Sequence, residues 1–85
     1  MTKCIVVFKS KTHTMIFIDL MNELGLYAQK VSTPKEAKIG CGLSAEILVK
    51  DKSTAINIIN KRNLSSFYSI LMIEKRVNRV ITTKI

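Results

Sequence analysis

The stretch YAQKVSTPKEAKIGCGLSAEILV, residues 27–49, decides the fold of this chain. Residues 27–31 alternate between apolar and polar side chains as in a short edge strand, and residues 43–49 show the clearest alternation in the chain. A charged loop that begins near Pro34 joins them without any helical periodicity. Two strands joined without a crossover helix pair antiparallel, so this stretch argues against a doubly wound parallel sheet.

Working outward, each strand of this pair is flanked by a predicted helix and a further predicted strand. The flanking elements are strands over residues 3–9 and 67–74 and helices over residues 10–24 and 51–63. Ser10 or Thr12 can cap the first helix. The order β-α-β-β-α-β predicts an α+β, ferredoxin-like domain over residues 1–75, with a four-stranded antiparallel sheet in the order 4-1-3-2 and two helices on one face.

The composition fits one ordered domain with a modest core. The chain has 85 residues, of which 47% are hydrophobic, with three glycines and one proline. No apolar run approaches the roughly 20 residues that span a bilayer. The first residues also lack the apolar length of a signal peptide, so we expect a cytoplasmic protein.

The charge is strongly positive and unevenly distributed. The formal net charge is +8, and residues 75–85 contain four basic residues and no acidic one. We treat residues 76–85 as a basic C-terminal tail, which could add a strand, exchange between subunits or stay loose. The charge favours acidic partners in general, including nucleic acid, although a solubilising surface with a basic tail is the simpler explanation.

The sheet face away from the helices is predicted to be too apolar to remain in water. We expect it to show Ile5 and Val7, or their neighbours, together with Tyr68, Ile70, Met72 and Leu48. Either a homodimer through this face or the tail folding over it would bury these side chains.

Cys41 is the strongest candidate for chemistry. Gly40 and Gly42 flank it, so the backbone there can adopt unusual angles and the thiol can be approached closely. Cys4, in contrast, lies within an apolar strand pattern and is predicted to be a core residue. Two cysteines cannot complete a four-ligand zinc site, and the two lie at opposite ends of the predicted sheet, so we expect neither a metal, a cofactor nor a disulfide.

The predicted topology brings Cys41 to the amino end of the first helix. Strands one and three are antiparallel neighbours, so the start of strand three lies beside the end of strand one. Unpaired N–H groups and the helix dipole favour negative charge there, and His13 lies in that first turn. Basic residues of the two loops would also favour the thiolate; they are Lys9, Lys11, Lys35 and Lys38.

Two segments resemble the selenium/sulfur carrier protein-like domains, a small bacterial family. VVFKSKTHTM, residues 6–15, resembles that family's strand followed by Phe-x-Ser-Thr-His before an amphipathic helix. STPKEAKIGCGL, residues 32–43, resembles its Pro-Arg-Glu loop leading into Cys-Gly-Leu. The resemblance covers about residues 3–75 and implies that Cys41 bears the sulfur or selenium.

The same resemblance extends to other positions around the cysteine. Positions that match the family are Gly42, Leu43, Pro34, Glu36 and His13. Positions that depart from it are Lys11, which separates Ser10 from Thr12, Lys35 in place of arginine, and Lys38-Ile39 in place of small hydroxyl residues. The predicted site therefore has Cys41 as the thiolate and His13 as a base or thiolate stabiliser, with a binding set of Gly40, Gly42, Ser10, Thr12, Pro34, Lys35 and Glu36.

Three functions follow from these residues. The first is a sulfur or selenium carrier, because one exposed cysteine with no resolving partner suits a shuttle between donor and acceptor proteins better than a turnover enzyme. The second is a basic, non-catalytic module that binds an acidic protein or nucleic acid; the sheet offers only Phe8, Phe67 and Tyr68 for stacking, which argues against RNA. The third is an enzyme with a Cys-His nucleophile, which lacks a recognisable third group.

Overall fold

The computed structural model describes residues 2–35, 42–76 and 79–84, and it describes residues 2, 74–76 and 79–84 by their backbone alone. The helices and strands are β1 (Thr2–Phe8), α1 (Lys11–Glu23), β2 (Ala28–Ser32), β3 (Leu43–Ile47), α2 (Lys52–Lys61), β4 (Phe67–Arg76) and β5 (Arg79–Lys84), and a 3₁₀ turn, Val49–Asp51, leads into α2. In the part of the chain so described, neither helix has the length and hydropathy to cross a bilayer.

The sheet has the strand order β2-β3-β1-β4-β5, and all its neighbours pair antiparallel. Its first four strands have the ferredoxin-like order that the sequence predicts, so the fold class is confirmed. The fifth strand answers the question that the sequence left open about the tail. Residues 79–84 fold back along β4, from Arg76 opposite Arg79 to Leu71 opposite Lys84.

The main core lies between the two helices and one face of the sheet. Aromatic rings form its centre: the ring of Phe8 lies 5.4 Å from that of Phe17 and 6.0 Å from that of Phe67. Cys4 and Ala45 are buried in the same cluster. Because α1 contributes Phe17 to this cluster, the position of that helix over the sheet is fixed by burial of apolar surface.

The opposite face of the sheet differs from the sequence prediction. Ile70 and Met72 belong to the helix-side core, whereas Leu71 packs on the far face with Ile5 and Val7. The reason is a β-bulge, since β1 shifts register against β4 between Val7 and Phe8. Such a shift cannot be seen in one strand read alone.

The far face is also less open than the sequence suggests. Ile5 is 3% exposed, Val7 0% and Leu71 2%, so these three side chains are already withdrawn from water in a single chain. Of the other side chains expected there, Leu48 and Tyr68 are exposed. The homodimer stays a prediction, and exposure of Ile5 and Val7 is no longer a reason for it.

Local capping explains where α1 begins and ends. The Ser10 side chain accepts a hydrogen bond from the backbone N–H of His13 at 3.2 Å, so Ser10 and not Thr12 is the N-cap. Gly25, with a φ of 75°, supplies the left-handed residue just after the helix. Both ends therefore fall within two residues of the predicted helix boundaries.

Replacing Ser10 tests this cap. We expect Ser10→Ala to lower the free energy of unfolding by about 1 kcal/mol, because one N–H of the first turn loses its acceptor. Thr12→Ala is the matched control, and we expect it to change the free energy by less than about 0.5 kcal/mol. Urea unfolding followed by circular dichroism measures both, and equal losses in the two variants would contradict the assignment of the cap.

Candidate functional site

Four segments of the chain meet at one end of the sheet. The β1–β3 pairing sets Val7 opposite Ser44, and the β1–β4 pairing sets Phe8 opposite Phe67. The β2–β3 pairing sets Ser32 opposite Leu43. The end of β1, the end of β2, the start of β3 and the start of β4 therefore share this end, together with the first turn of α1.

The loop that carries Cys41 is closed at its base. The N–H of Thr33 donates to the carbonyl of Gly42 at 3.2 Å, and the Thr33 and Ser44 hydroxyl oxygens lie 2.8 Å apart. Gly42 has a φ of 74°, a conformation in which any other L-residue except asparagine or aspartate is strained. Residues 36–41, and with them the predicted positions Glu36, Lys38, Gly40 and Cys41, lie outside the described residues.

Thr14 joins this loop base to the first helix. Its side chain is fully buried, and its hydroxyl lies 3.0 Å from the carbonyl oxygen of Ser10 and 3.4 Å from that of Leu43. Leu43 stands two positions after Cys41 in the sequence. The prediction that the start of strand three lies beside the first turn of α1 is therefore confirmed for Leu43.

His13 is held by the loop between α2 and β4. Its Nδ1 lies 2.6 Å from the Ser66 hydroxyl oxygen and also accepts from the Ser66 N–H at 3.4 Å. Because a backbone N–H can only donate, Nδ1 is the acceptor, and the proton of the neutral ring is on Nε2. The N–H of Lys9 donates to the Ser66 carbonyl at 2.8 Å, which fixes this loop against the end of β1.

The remaining predicted residues take different positions. The Lys9 ammonium lies 5.8 Å from the ring centroid of Tyr68, a cation–π distance, so part of its charge faces that ring. Thr12 and Lys35 are exposed, and Pro34 is half-buried. The structure thus brings Ser10, His13 and Gly42 to one end of the sheet.

A shallow cleft of about 330 Å³ lies beside the loop base. It is lined by Met15, Lys30, Val31, Ser32 and Leu43. Three of the five lining side chains are apolar, and Lys30 contributes a positive charge. A group that approaches Gly42 from the β2 side would contact this cleft.

Cys4 lies at the opposite end of the sheet. It pairs with Ile47, the last residue of β3, and is fully buried as a free thiol, so the predicted core role is confirmed. Burial raises the pKa of Cys4, and the nearby charge of Lys52 opposes that effect in part. A thiol in this environment stays protonated and is a poor nucleophile.

Sequence reasoning missed three residues that position the site. Ser66, Thr14 and Ser44 all make the hydrogen bonds described above. Ser66 and Ser44 lie outside the two segments that resemble the family, and Thr14 lies inside the first segment without being a position that matches it. Ser66 is 53 positions from His13, so only the folded chain brings them together. Thr14 offered a weak signal, because a hydroxyl on the apolar side of a helix needs a buried acceptor.

Comparison with known proteins identifies the family of this chain. The family described as "Putative Se/S carrier protein-like" matches residues 3–69, so the chain belongs to that family. The matched region contains the whole of the site described above. No curated protein and no solved structure matches the chain.

The buried thiol gives a testable pH dependence. Above about pH 8.5 the thiol of an unfolded chain ionises, whereas Cys4 in the native state keeps its proton because its pKa is raised. The unfolded state then binds fewer protons, so we expect the free energy of unfolding to fall as the pH rises through this range. Urea unfolding at several pH values, compared between the wild type and Cys4→Ala, isolates the Cys4 contribution.

Alkylation provides the control for this prediction. We expect iodoacetamide to modify Cys4 much more slowly in the native protein than in urea. Equal rates in the two states, or an identical pH slope of stability in Cys4→Ala, would show that the thiol is not protected.

Proposed function

We propose that this member of the Se/S carrier-like family carries a sulfur or selenium atom on Cys41 and passes it to a partner protein. The observation that carries the proposal is the contact of Thr14 with Leu43, which holds the residues just after Cys41 against the amino end of α1. Family membership over residues 3–69 supports the same function.

The proposed loading step is a thiol–persulfide exchange. The Cys41 thiolate attacks the outer sulfur of a donor persulfide, a new S–S bond forms at Cys41, and the S–S bond of the donor breaks. The donor leaves as a thiolate, so the step needs no other oxidant or reductant. The same exchange with a donor perselenide delivers selenium. In the unloading step a nucleophile of the acceptor attacks the outer atom, and Cys41 leaves as the thiolate.

The first turn of α1 would stabilise the negative charge in both steps. Its amide groups and dipole favour an anion, and the neutral His13 ring has its donor on Nε2 because Ser66 occupies Nδ1. A ring in this tautomer acts as a hydrogen-bond donor to a thiolate and not as a base. Of the two roles predicted for His13, we therefore propose that of thiolate stabiliser.

The loop residues would shape the approach to Cys41. Gly42, with its positive φ, turns the chain into β3 without a side chain, and it is exposed. We propose that the predicted binding set, Gly40, Gly42, Ser10, Thr12, Pro34, Lys35 and Glu36, forms the rim that a donor or acceptor contacts.

A non-catalytic basic binding module is the second candidate. The net charge of +8 supports it. The aromatic residues argue against RNA as the ligand of such a module. Phe8 is fully buried and Phe67 packs against the core, so neither ring can stack on a base.

Mass spectrometry tests the carrier function directly. After incubation with a cysteine desulfurase and cysteine, we expect the wild type to gain the mass of one sulfur atom, and a reductant to remove it. Cys41→Ser should gain nothing, because it lacks the attacking thiolate. Cys4→Ala is the matched control and should be loaded like the wild type. Loading of Cys41→Ser, or no loading of the wild type by this or by a small persulfide donor, would reject the proposal.

The pH dependence of alkylation tests the role of His13. We expect His13→Gln to move the midpoint of iodoacetamide alkylation at Cys41 to higher pH, because a donor to the thiolate is altered. Ser66→Ala should move it in the same direction by less, since the ring loses one contact but stays in place.

Ser65→Ala is the matched control for the loop, because Ser65 is exposed and adjacent to Ser66. It should leave the midpoint where the wild type has it. An unchanged midpoint in His13→Gln would remove His13 from the site while leaving Cys41 as the carrier residue.

A further inference from the structure

The β4–β5 hairpin is the most basic part of the described sheet. Four basic residues and no acidic residue lie in residues 75–84. The last described pair between β1 and β4 is Thr2 with Glu74, so the hairpin continues past Thr2, the residue at which β1 begins. It therefore projects a two-stranded, positively charged segment from one corner of the domain.

The register of the hairpin concentrates this charge. Arg76 and Arg79 are direct cross-strand partners, and Lys75 is next to Arg76. Like charges placed opposite each other on neighbouring strands destabilise their pairing. A negatively charged partner at this position would remove that cost, which is why the register itself favours an acidic ligand.

β5 is also an edge of the sheet. It is the last strand in the order β2-β3-β1-β4-β5, so one side of its backbone faces away from β4. An edge of this kind can accept a further strand through main-chain hydrogen bonds. Pairing of two copies in antiparallel register would set Arg79 of one chain against Lys84 of the other, which favours an acidic strand over a second copy.

The surrounding surface offers little repulsion to an acidic partner. Of the acidic side chains that the structure describes, Asp51 is buried and Glu46 lies 3.7 Å from the Lys3 ammonium. Asp19 and Glu23, both on α1, are the exposed ones in that described set.

We propose that the β4–β5 hairpin docks an acidic, extended segment of the donor or acceptor protein, which adds to the sheet along β5. The identity of the partner as donor or acceptor rests on the proposed function; the docking itself does not. A polypeptide fits better than nucleic acid, because only another strand returns the main-chain hydrogen bonds of the edge. Phe8 and Phe67 are packed in the core and cannot stack on a base, which leaves Tyr68 as the exposed aromatic residue of the described strands.

A synthetic peptide of alternating glutamate and threonine, about ten residues long to cover one strand, is the probe. We expect it to shift the backbone amide NMR signals of residues 71–84 in the isotope-labelled full chain, with an affinity that falls as salt is raised. Two further peptides of the same sequence carry N-methyl groups on every second backbone amide, one peptide at the odd positions and the other at the even positions. Both keep the charge, but each has lost the N–H donors along one edge of its strand. The peptide that is methylated on the edge facing β5 should bind at least about tenfold more weakly.

Two double charge reversals separate the hairpin from the overall charge. Arg79→Glu with Lys84→Glu should weaken peptide binding by about tenfold or more. Lys61→Glu with Arg62→Glu changes the net charge equally at the exposed end of α2, and should weaken it by less than about threefold. Equal losses in the two variants would overturn the proposal, because binding would then follow net charge alone.

Other outcomes also overturn it. With the peptides, these outcomes are an absence of binding, amide shifts that lie outside residues 71–84, and unchanged binding of both methylated peptides. With nucleic acid, the outcome is binding of a random DNA duplex or RNA strand at residues 71–84 that is tighter than peptide binding. Failure of the carrier function is distinguishable. Cys41→Ser should bind the peptide like the wild type, and the Arg79/Lys84 variant should take sulfur from a small persulfide donor at the wild-type rate.

Discussion

The antiparallel pairing of β3 with β1 is the constraint on which the rest of the structure depends. It sets the start of β3 beside the end of β1, where the chain enters α1, with Val7 opposite Ser44. With parallel pairing the start of β3 would lie at the other end, next to Thr2. Ten residues, 33–42, join β2 to β3, which is too few for the crossover connection that parallel neighbours need, so these two strands pair antiparallel. β1 and β2, which are joined through α1, run in the same direction, so β3 is antiparallel to β1 as well. A topological restriction thus decides which loop faces the amino end of the first helix.

Buried polar contacts then fix the parts of that end against each other. Apolar packing holds α1 over the sheet but allows small displacements, whereas a hydrogen bond in a buried environment has a narrow distance and angle. Thr14 connects α1 to β3, and His13 connects α1 to the loop before β4. Each of these groups would cost free energy if it were buried without its partner. The same bonds that complete the fold therefore also set the position of the helix amides that the proposed chemistry uses.

Much of the fold could be predicted from local patterns. The cap at Ser10, the left-handed Gly25 and the short connection between β2 and β3 each depend on a few residues, so they are visible in the sequence. The neighbour of β4 was predicted correctly, but its register was not, because the bulge near Phe8 depends on the partner strand. The alternation over residues 43–49 also extended the third strand too far, since the chain turns into a 3₁₀ turn after Leu48.

The candidate site was predictable to a smaller extent. Glycines around Cys41 and a histidine at a helix start are local signals, and they place the predicted site at the end of the sheet where Gly42 and His13 lie. The hydrogen-bond partner of His13 could not be predicted, because Ser66 is distant in sequence and serine is common in loops. The strand with which the tail pairs could not be predicted either, because RVNRVITTKI contains strand-forming residues but does not indicate a neighbouring strand.

The position of the hairpin relative to the cysteine loop limits how a docked partner can be used. Three strand spacings separate β3 from β5, about 14 Å in all. Lys84 lies opposite Leu71, which is four residues along β4 from Phe67, at the end that bears the candidate site. These four residues add a distance of about 13 Å along the strand direction. A segment bound along β5 would thus have one end about 20 Å from the start of β3. A partner held there cannot react through the docked segment itself; its reactive group must lie on a domain that continues past the Lys84 end. Docking would then raise the local concentration of that group at the loop, while the exchange step remains a separate encounter.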